Sequence, residues 1–399
     1  MSDEVKDKEA AYKKLVKESA LKKLVEKDAT KLAKEKAPLP ELVVTKLSSI
    51  KRQKPLRVFG GRLEQGAFSF IVGKGEIGKG VLSADIVARL TTGAPFPGDG
   101  GKWREPVPVM MCVVEDSKEQ IHGRCEAAGA DLDLVHLVEG QMVMRGGLAM
   151  PDPMKLSEDA GPLVTLAKKL GAGAIFLETV IEHLGGHDGI GKMSTHNLAD
   201  VRSLLSPFRA VCKEANLFGW GLLHPRKGMG DDPHDNTSGS GAFRDVPRMV
   251  MQVFMDPSDE SKNPARLLCC DKSNSMPMRP TTYRFHIESW EKDEYYPRCV
   301  WGVEGKTLED DRTIEEIQQE IVDKKKVRKD LAVVNAEEFL RKLLASGQHP
   351  PDVIFAKAEE QGISEKTIKR AKKNLGLISV RDQAFHSKVL YWEFPKNEM

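Results

Sequence analysis

The sequence predicts an α/β protein, with a mostly parallel sheet covered by helices and then a separate small helical module. Three observations predict it. A glycine-rich turn, Gly73 to Gly80, separates a short apolar run from a segment whose apolar residues recur at helical spacing. From about 43 to 300, apolar runs alternate with amphipathic stretches, the pattern of parallel strands joined by crossover helices. Residues 331–399 break that rhythm and read as three short helices and a hairpin.

Composition sets the outer bounds. A chain of 399 residues can hold two or three domains, with 30% charged and 40% apolar residues, as in soluble proteins. No apolar run approaches the roughly 20 residues needed to span a bilayer, and the charged N-terminus lacks a secretory apolar core. Six cysteines form no C-x-x-C pair and sit mostly in apolar runs, so they read as reduced thiols of a cytoplasmic protein.

Residues 1–42 are rich in Lys and Glu and form the first element, a basic helical arm. Over residues 1–54 there are 15 Lys and Arg against 9 Asp and Glu. A solvated helical tail explains this, as does an arm touching nucleic acid or a neighbouring subunit. Pro38 and Pro40 end any helix there.

The core follows over 43–300. Phe68 to Val72 reads as a buried strand, and Val81 to Leu90 as a helix. Between them, Gly73, four residues, Gly78 and Lys79 match a phosphate-binding loop in the required strand–loop–helix context. The candidate nucleotide-binding residues are Gly73, Gly75, Glu76, Ile77, Gly78, Lys79, Gly80 and Val81. Glycines let backbone N–H groups converge on a phosphate, the helix N-terminus adds partial positive charge, and Lys79 reaches the β- and γ-phosphates. A chance glycine turn is the bland alternative, and the flanking strand and helix weigh against it. Gly80 breaks the pattern, because Ser or Thr normally offers Mg²⁺ a hydroxyl there.

Val107 to Val114 reads as a parallel strand, apolar on both faces, with Glu115 and Asp116 just past its carboxyl end. Ligands of open α/β sheets bind at those ends. A helix (117–128), a short strand (134–138) and a helix (163–170) precede the apolar strand Ala174 to Leu177, which ends in Glu178. That is the architecture of a Walker B segment, with Glu in place of the commoner Asp. A helix from about 198 to 215 leads to a strand, 218–223, ending at His224. Residues 228–241 form a loop rich in glycine, Asp and Ser, a kind usually functional. Strands at 249–255 and 267–270 follow, the second trailed by Asp271, Lys272, Ser273 and Asn274. His183, His187 and His196 are spaced poorly for zinc and read as polar loop residues.

Residues 301–330 are mostly charged and read as a linker, with a helix around 314–322. In 331–399, an amphipathic helix (336–344), a second bracketed by Pro350/Pro351 and Gly362, and a third capped by Ser364 precede a hairpin ending in Tyr391 and Trp392. This order describes a winged helix-turn-helix. Lys366, Lys369, Arg370, Lys372 and Lys373 share the third helix. A solvated lysine face explains them less well than contact with a DNA backbone, for which Lys366, Lys369, Arg370 and Lys373 are the candidates.

With the glycine loop, the strand-end acids and the basic module in view, the chain resembles the RecA-fold ATPases of RepA type from plasmids, phages and prophages, relatives of the DnaB replicative helicases. The likeness covers about 43–300 and extends to the tail, in Ala336 to Leu340 and Gly362 to Thr367. It implies a RecA-like P-loop core, ATP and Mg²⁺ as cofactors, and a homo-oligomer, a hexameric ring, around single-stranded DNA. It implies that Glu115 orients the attacking water and that Glu178 is the Walker B acid, holding the metal indirectly. It also implies that His224 senses the γ-phosphate and that Arg248 is an arginine finger into the neighbouring subunit, with Arg244 the alternative and Lys272 a second finger. Glu126 to Asp131 and Ser238 to Ala242 repeat family segments. Arg226, Lys227 and Lys192 suit backbone contacts in a ring channel.

Two departures touch the metal: Gly80 lacks the hydroxyl, and Glu178 is one methylene longer than Asp. One expectation is that Glu178 fills the space left by Gly80 and supplies the missing oxygen. The readings that follow are a ring-forming DNA motor of helicase type serving a mobile element's replication alongside other replication proteins, or a nucleotide-binding but hydrolysis-impaired initiator, loader or regulator. RecA-like strand exchange rests on fold analogy alone.

Overall fold

The computed structural model describes residues 44–185, 194, 197–225, 241–274, 281–302, 308–381 and 390–395. The basic arm (1–42), Lys192, His187, His196, Arg226 and Lys227 lie outside them, as does nearly all of the 228–241 loop. The chain divides into two compact units, Met1–Lys54 and Pro55–Met399. In the first, the described residues hold a single 3-10 turn, Leu47–Ser49.

The second unit opens with a small ladder, β1 (Arg57–Val58) and β2 (Leu63–Glu64), then β3 (Ala67–Gly73) and α1 (Lys79–Thr92). Next come β4 (Val109–Val113), α2 (Lys118–Ala128), β5 (Val135–Leu137), and the hairpin β6 (Gln141–Arg145) and β7 (Leu148–Asp152). After α3 (Leu156–Leu170), β8 (Ala174–Glu178), α4 (Leu198–Glu214), β9 (Phe218–Leu223) and α5 (Ala242–Asp245), the chain forms β10 (Met249–Met255) and β11 (Arg266–Ser273). The hairpin β12 (Thr282–Trp290) and β13 (Asp293–Trp301), then β14 (Glu309–Asp310), lead into α6 (Ile314–Leu344). The end of the chain holds α7 (Pro351–Glu360), α8 (Glu365–Asn374), β15 (Ile378–Arg381) and β16 (Leu390–Glu393).

Ten strands form the main sheet in the order β13-β12-β11-β10-β3-β9-β8-β4-β5, with β14 paired to β12. The six from β10 to β5 run parallel, and β11 to β14 extend them antiparallel. The order places the carboxyl ends of β3, β9, β8 and β4 side by side, the crevice where ligands of such sheets bind. Alternation along β3 feeds both faces: Ile71 packs toward α1, while Phe68, Phe70 and Val72 pack toward α3 and α4. Burial on both faces is why these strands read as unbroken apolar runs. Trp220 of β9 stacks on Phe176 of β8 at 5.1 Å, and its indole N–H donates to Ser83 of α1.

Several elements differ from the sequence reading. Strand β11 runs on through Asp271, Lys272 and Ser273, because Lys272 pairs with Val250 in the ladder. Helix α3 starts at Leu156 rather than 163 and accommodates Pro162 in its second turn. The hairpins β6–β7 and β12–β13 were unexpected.

The stretch read as a linker is tied to the core. After β14, a 31-residue helix, ~46 Å long, runs unbroken past the boundary expected at 331. Thr313 and Glu316 form its capping box. Ile314 and Ile317 are buried against Leu267 and Cys269 of β11, with Ile321 half-buried beside them. Its far end, with Val333, Ala336, Phe339, Leu340 and Leu344, enters the core of the terminal module, which α7, α8 and Trp392 complete. Among the described residues no helix is long and apolar enough to cross a membrane.

Candidate nucleotide site

The glycine loop joins β3 to α1 and turns through two left-handed residues, Glu76 (φ 62°) and Gly78 (φ 97°). Gly78 has a second reason to be glycine. A methyl group there would stand 1.9 Å from Ile287 of β12, so the antiparallel extension closes over the loop. Loops of this kind aim successive N–H groups at one point and hold anions. Lys79, the first residue of α1, is buried, and its Nζ donates to the carbonyls of Gly73 and Lys74, both at 2.8 Å. Burial lowers its pKa, while Glu178 and then Glu115 pull it back up.

Glu178 ends β8, and Glu115 lies two residues beyond β4, its carboxylate taking a 3.5 Å hydrogen bond from Thr179 Oγ1. His224 follows β9, between β3 and β8. Desolvation and then the Lys79 charge hold its imidazole below the usual range, against the pull of Glu115. Glu115, Glu178, Lys79 and His224 therefore share one crevice.

The sequence reading missed a residue of this site. Arg124 of α2 reaches back over Gly80, its Nη1 bonded to Asp116 Oδ2 at 2.7 Å. A methyl group on Gly80 would lie 2.7 Å from that nitrogen and 3.5 Å from Glu178 Oε1. Glu178, expected to fill the space left by Gly80, does border it through Oε1, but it shares that space with the Arg124 guanidinium, which lies nearer. The residues present do not fit the usual Mg²⁺ cradle. Position 80 offers no hydroxyl, and a guanidinium nitrogen lies 2.7 Å from where its Cβ would stand; burial, with Asp116 next, also pushes the Glu178 carboxyl up to about 7 in the nucleotide-free protein.

Residues 33–230 match a family model described as an AAA domain. The segment is a nucleotide-binding ATPase domain. No curated protein matches the chain. The ATPase match encloses Lys79, Glu115, Arg124, Glu178 and His224 and stops short of Arg248, Lys272 and the terminal module.

A cavity of about 380 Å³ opens beside the ATPase loop, walled by Gly73, Lys74 and Ile77 and closed by Phe254, Pro257 and Ile321. Lys324, Lys325 and Arg328 of α6 also border it, and burial followed by Lys74 lowers the Lys325 pKa.

Arg248 and Lys272 lie elsewhere. The Arg248 amide donates to Phe68 O, so Arg248 sits at the amino end of β3. The phosphate loop lies five residues away along that strand, ~16 Å. Lys272, at the same end, donates to the carbonyls of Asp245 and Pro247 and braces the turn after α5. Arg244 pairs with the buried Asp271 at 3.2 Å, while Arg248 is exposed.

His183, expected as a polar loop residue, is buried, with its ring nitrogens 3.0 Å from the carbonyls of Met154 and Cys112. No metal-binding group of His, Cys, Asp or Glu occurs among the described residues. On α8, Lys366, Lys369, Arg370 and Lys373 are exposed along one face. Lys369 pairs with Glu365, and Arg370 lies 3.7 Å from Asp330 of α6. Lys372 is turned inward, 4.2 Å over the Trp392 ring.

The raised Glu178 pKa has a measurable consequence. Its folded value, about 7, lies above the usual glutamate value of about 4.5, so folding favours the protonated acid. Stability is fully present below about pH 4.5 and falls as pH rises toward 7, by ~3 kcal/mol in total. Glu178→Gln removes that slope. Its melting temperature is expected to match wild type near pH 5 and exceed it increasingly up to pH 7.5, read by calorimetry in the nucleotide-free protein. A constant difference across that range would contradict the assignment.

Proposed function

We propose that the chain is a nucleotide-dependent DNA motor of RecA fold, forming a ring of identical subunits on single-stranded DNA and serving the replication of a mobile element. The placement of Arg248 carries this reading. An exposed arginine at the end of the sheet away from its own phosphate loop cannot serve its own site and is suited to a neighbour's. Within one subunit, Lys79 and the loop N–H groups hold phosphate, and Glu115 holds a water for attack on the γ-phosphorus. His224, neutral at pH 7, links that phosphate to the residues after β9. The apolar cavity beside the loop takes the base and sugar. Helix α6 borders that cavity and also carries the terminal module, read as a winged helix that grips duplex DNA through Lys366, Lys369, Arg370 and Lys373.

The test is complementation between subunits. Lys79→Ala and Arg248→Ala proteins are each expected to lack DNA-stimulated ATP hydrolysis, and their mixture to recover part of it. Wild-type turnover by Arg248→Ala alone would end the shared-site reading. A second reading, a hydrolysis-impaired initiator, loader or regulator, is favoured by the guanidinium over Gly80. It predicts tight nucleotide binding with no stimulation of hydrolysis by DNA.

A further inference from the structure

Gly80 needs an explanation that the backbone does not supply. It is the second residue of α1 and has no left-handed φ, so any side chain suits its conformation. Glycine within a helix is less favourable than alanine. The explanation is space. A Cβ at 80 would come 2.7 Å from Arg124 Nη1, too close unless the end of that side chain moves away, with its Cζ in ordinary contact at 3.5 Å.

Arg124 does not arrive there by chance rotation. Its helix α2 is fixed by the capping box of Ser117 and Gln120, and its Cys125 and Ile121 are buried in the core under the sheet. Asp116 holds Nη1 at 2.7 Å, and both side chains are mostly covered, at 23% exposure. The guanidinium also feels the charge of Glu178, the acid at the end of β8. A built-in cation thus stands between the first turn of the phosphate-loop helix and the strand-end acids. A guanidinium keeps its charge at every accessible pH and offers N–H donors in a planar fork that matches phosphate oxygens.

We propose that Arg124 is a nucleotide contact that takes the place of the divalent cation, so that this site binds nucleoside triphosphate without Mg²⁺. The inference rests on the nucleotide-binding reading and deepens it. Gly80 makes room for the guanidinium, Asp116 positions it, and the fork meets the β- and γ-phosphate oxygens beside Lys79. A divalent ion approaching the same place meets a fixed positive charge and lacks the hydroxyl that would complete its shell.

The experiment measures equilibrium binding of ATP to the full chain by calorimetry, once with EDTA and once with excess magnesium chloride. Equal affinity in the two conditions is the expected result. Arg124→Gln should lose about 10- to 100-fold in EDTA, the worth of one or more charge-assisted hydrogen bonds. The double variant Gly80→Ser/Arg124→Ala should bind only when Mg²⁺ is present, since it restores the hydroxyl and removes the competing charge. Binding by wild type that requires Mg²⁺ overturns the proposal, with no variant needed. So does unchanged affinity of a folded Arg124→Gln protein in EDTA. Absence of binding in both conditions fails differently: it removes the nucleotide-site reading itself, and this inference with it.

Discussion

Replacing Lys79 by alanine is expected to lower ATP affinity by about 100-fold, the largest functional effect of any single change in the crevice. The ammonium is buried and already hydrogen-bonded to the carbonyls of Gly73 and Lys74. Its removal costs more than one contact. The two carbonyls lose their donor and present negative dipoles to the incoming phosphates, and Glu115 and Glu178 lose the cation whose charge they feel. Arginine does not rescue the site, because a planar fork replaces a compact charge that sits within hydrogen-bond reach of two adjacent carbonyls. Calorimetric titration with ATP measures the loss, and a melting curve of the variant separates it from unfolding. Affinity within a few-fold of wild type would show that phosphate does not rest against this helix end.

How far the sequence could be read depended on whether the relevant signal was local. The strand, glycine loop and helix around Lys79 lie within one short segment, so propensity, spacing and chemistry agree there, and the core strands announce themselves because burial on both faces leaves unbroken apolar runs. Glu178 and His224 were legible for the same reason, each being the residue at which such a run stops. Arg124 was not. Forty-four residues separate it from Gly80, and only the pairing of β4 beside β8, with α2 returning from β4, brings the two together. The missing hydroxyl was the one visible half of that pair, and nothing local in the sequence set the other half apart. The hairpin β12–β13 was hidden differently. Its first strand interrupts the apolar alternation with Arg284, a charged residue that is buried, so period-two patterning fails where a salt-bridge cluster stands in for apolar packing. Likewise the charged surface of α6 outweighed Ile314, Ile317 and Ile321, which occur at helical spacing and pack against β11.

Arg284→Met is expected to destabilise the second unit by ~3–5 kcal/mol, because it removes one cation from a buried cluster of two arginines and two aspartates. Arg284 Nε lies 3.3 Å from Asp256 Oδ2, and its Nη2 bonds Asp310. Arg312 completes the cluster, with Nη2 3.0 Å from Asp256 and 2.7 Å from Asp310, and reaches Glu320 of α6 at 2.8 Å. The Asp256 and Asp310 side chains are 0% and 5% exposed, so water cannot take over when Arg284 is lost. Burial alone would raise both carboxyls, and hydrogen bonds from Arg312 to both, with Ser258 acting on Asp256, carry them below the usual range. For depressed acids the sign runs one way: their contribution is present above the unfolded value of about 4 and is lost as pH falls below it. Two checks follow from the geometry. Adding Asp310→Asn to Arg284→Met should recover part of the loss, since one fewer carboxylate is left buried and underpaired, and a double-mutant cycle in urea reads that coupling. Hydrogen exchange should quicken first in the opening turns of α6, whose N-terminal end the cluster pins beside β12 and β14 through Arg312 and Glu320. A loss under ~1 kcal/mol, typical of an exposed pair, would mean that the apolar contacts of Ile314 and Ile317 hold this helix to the sheet without help from the charges.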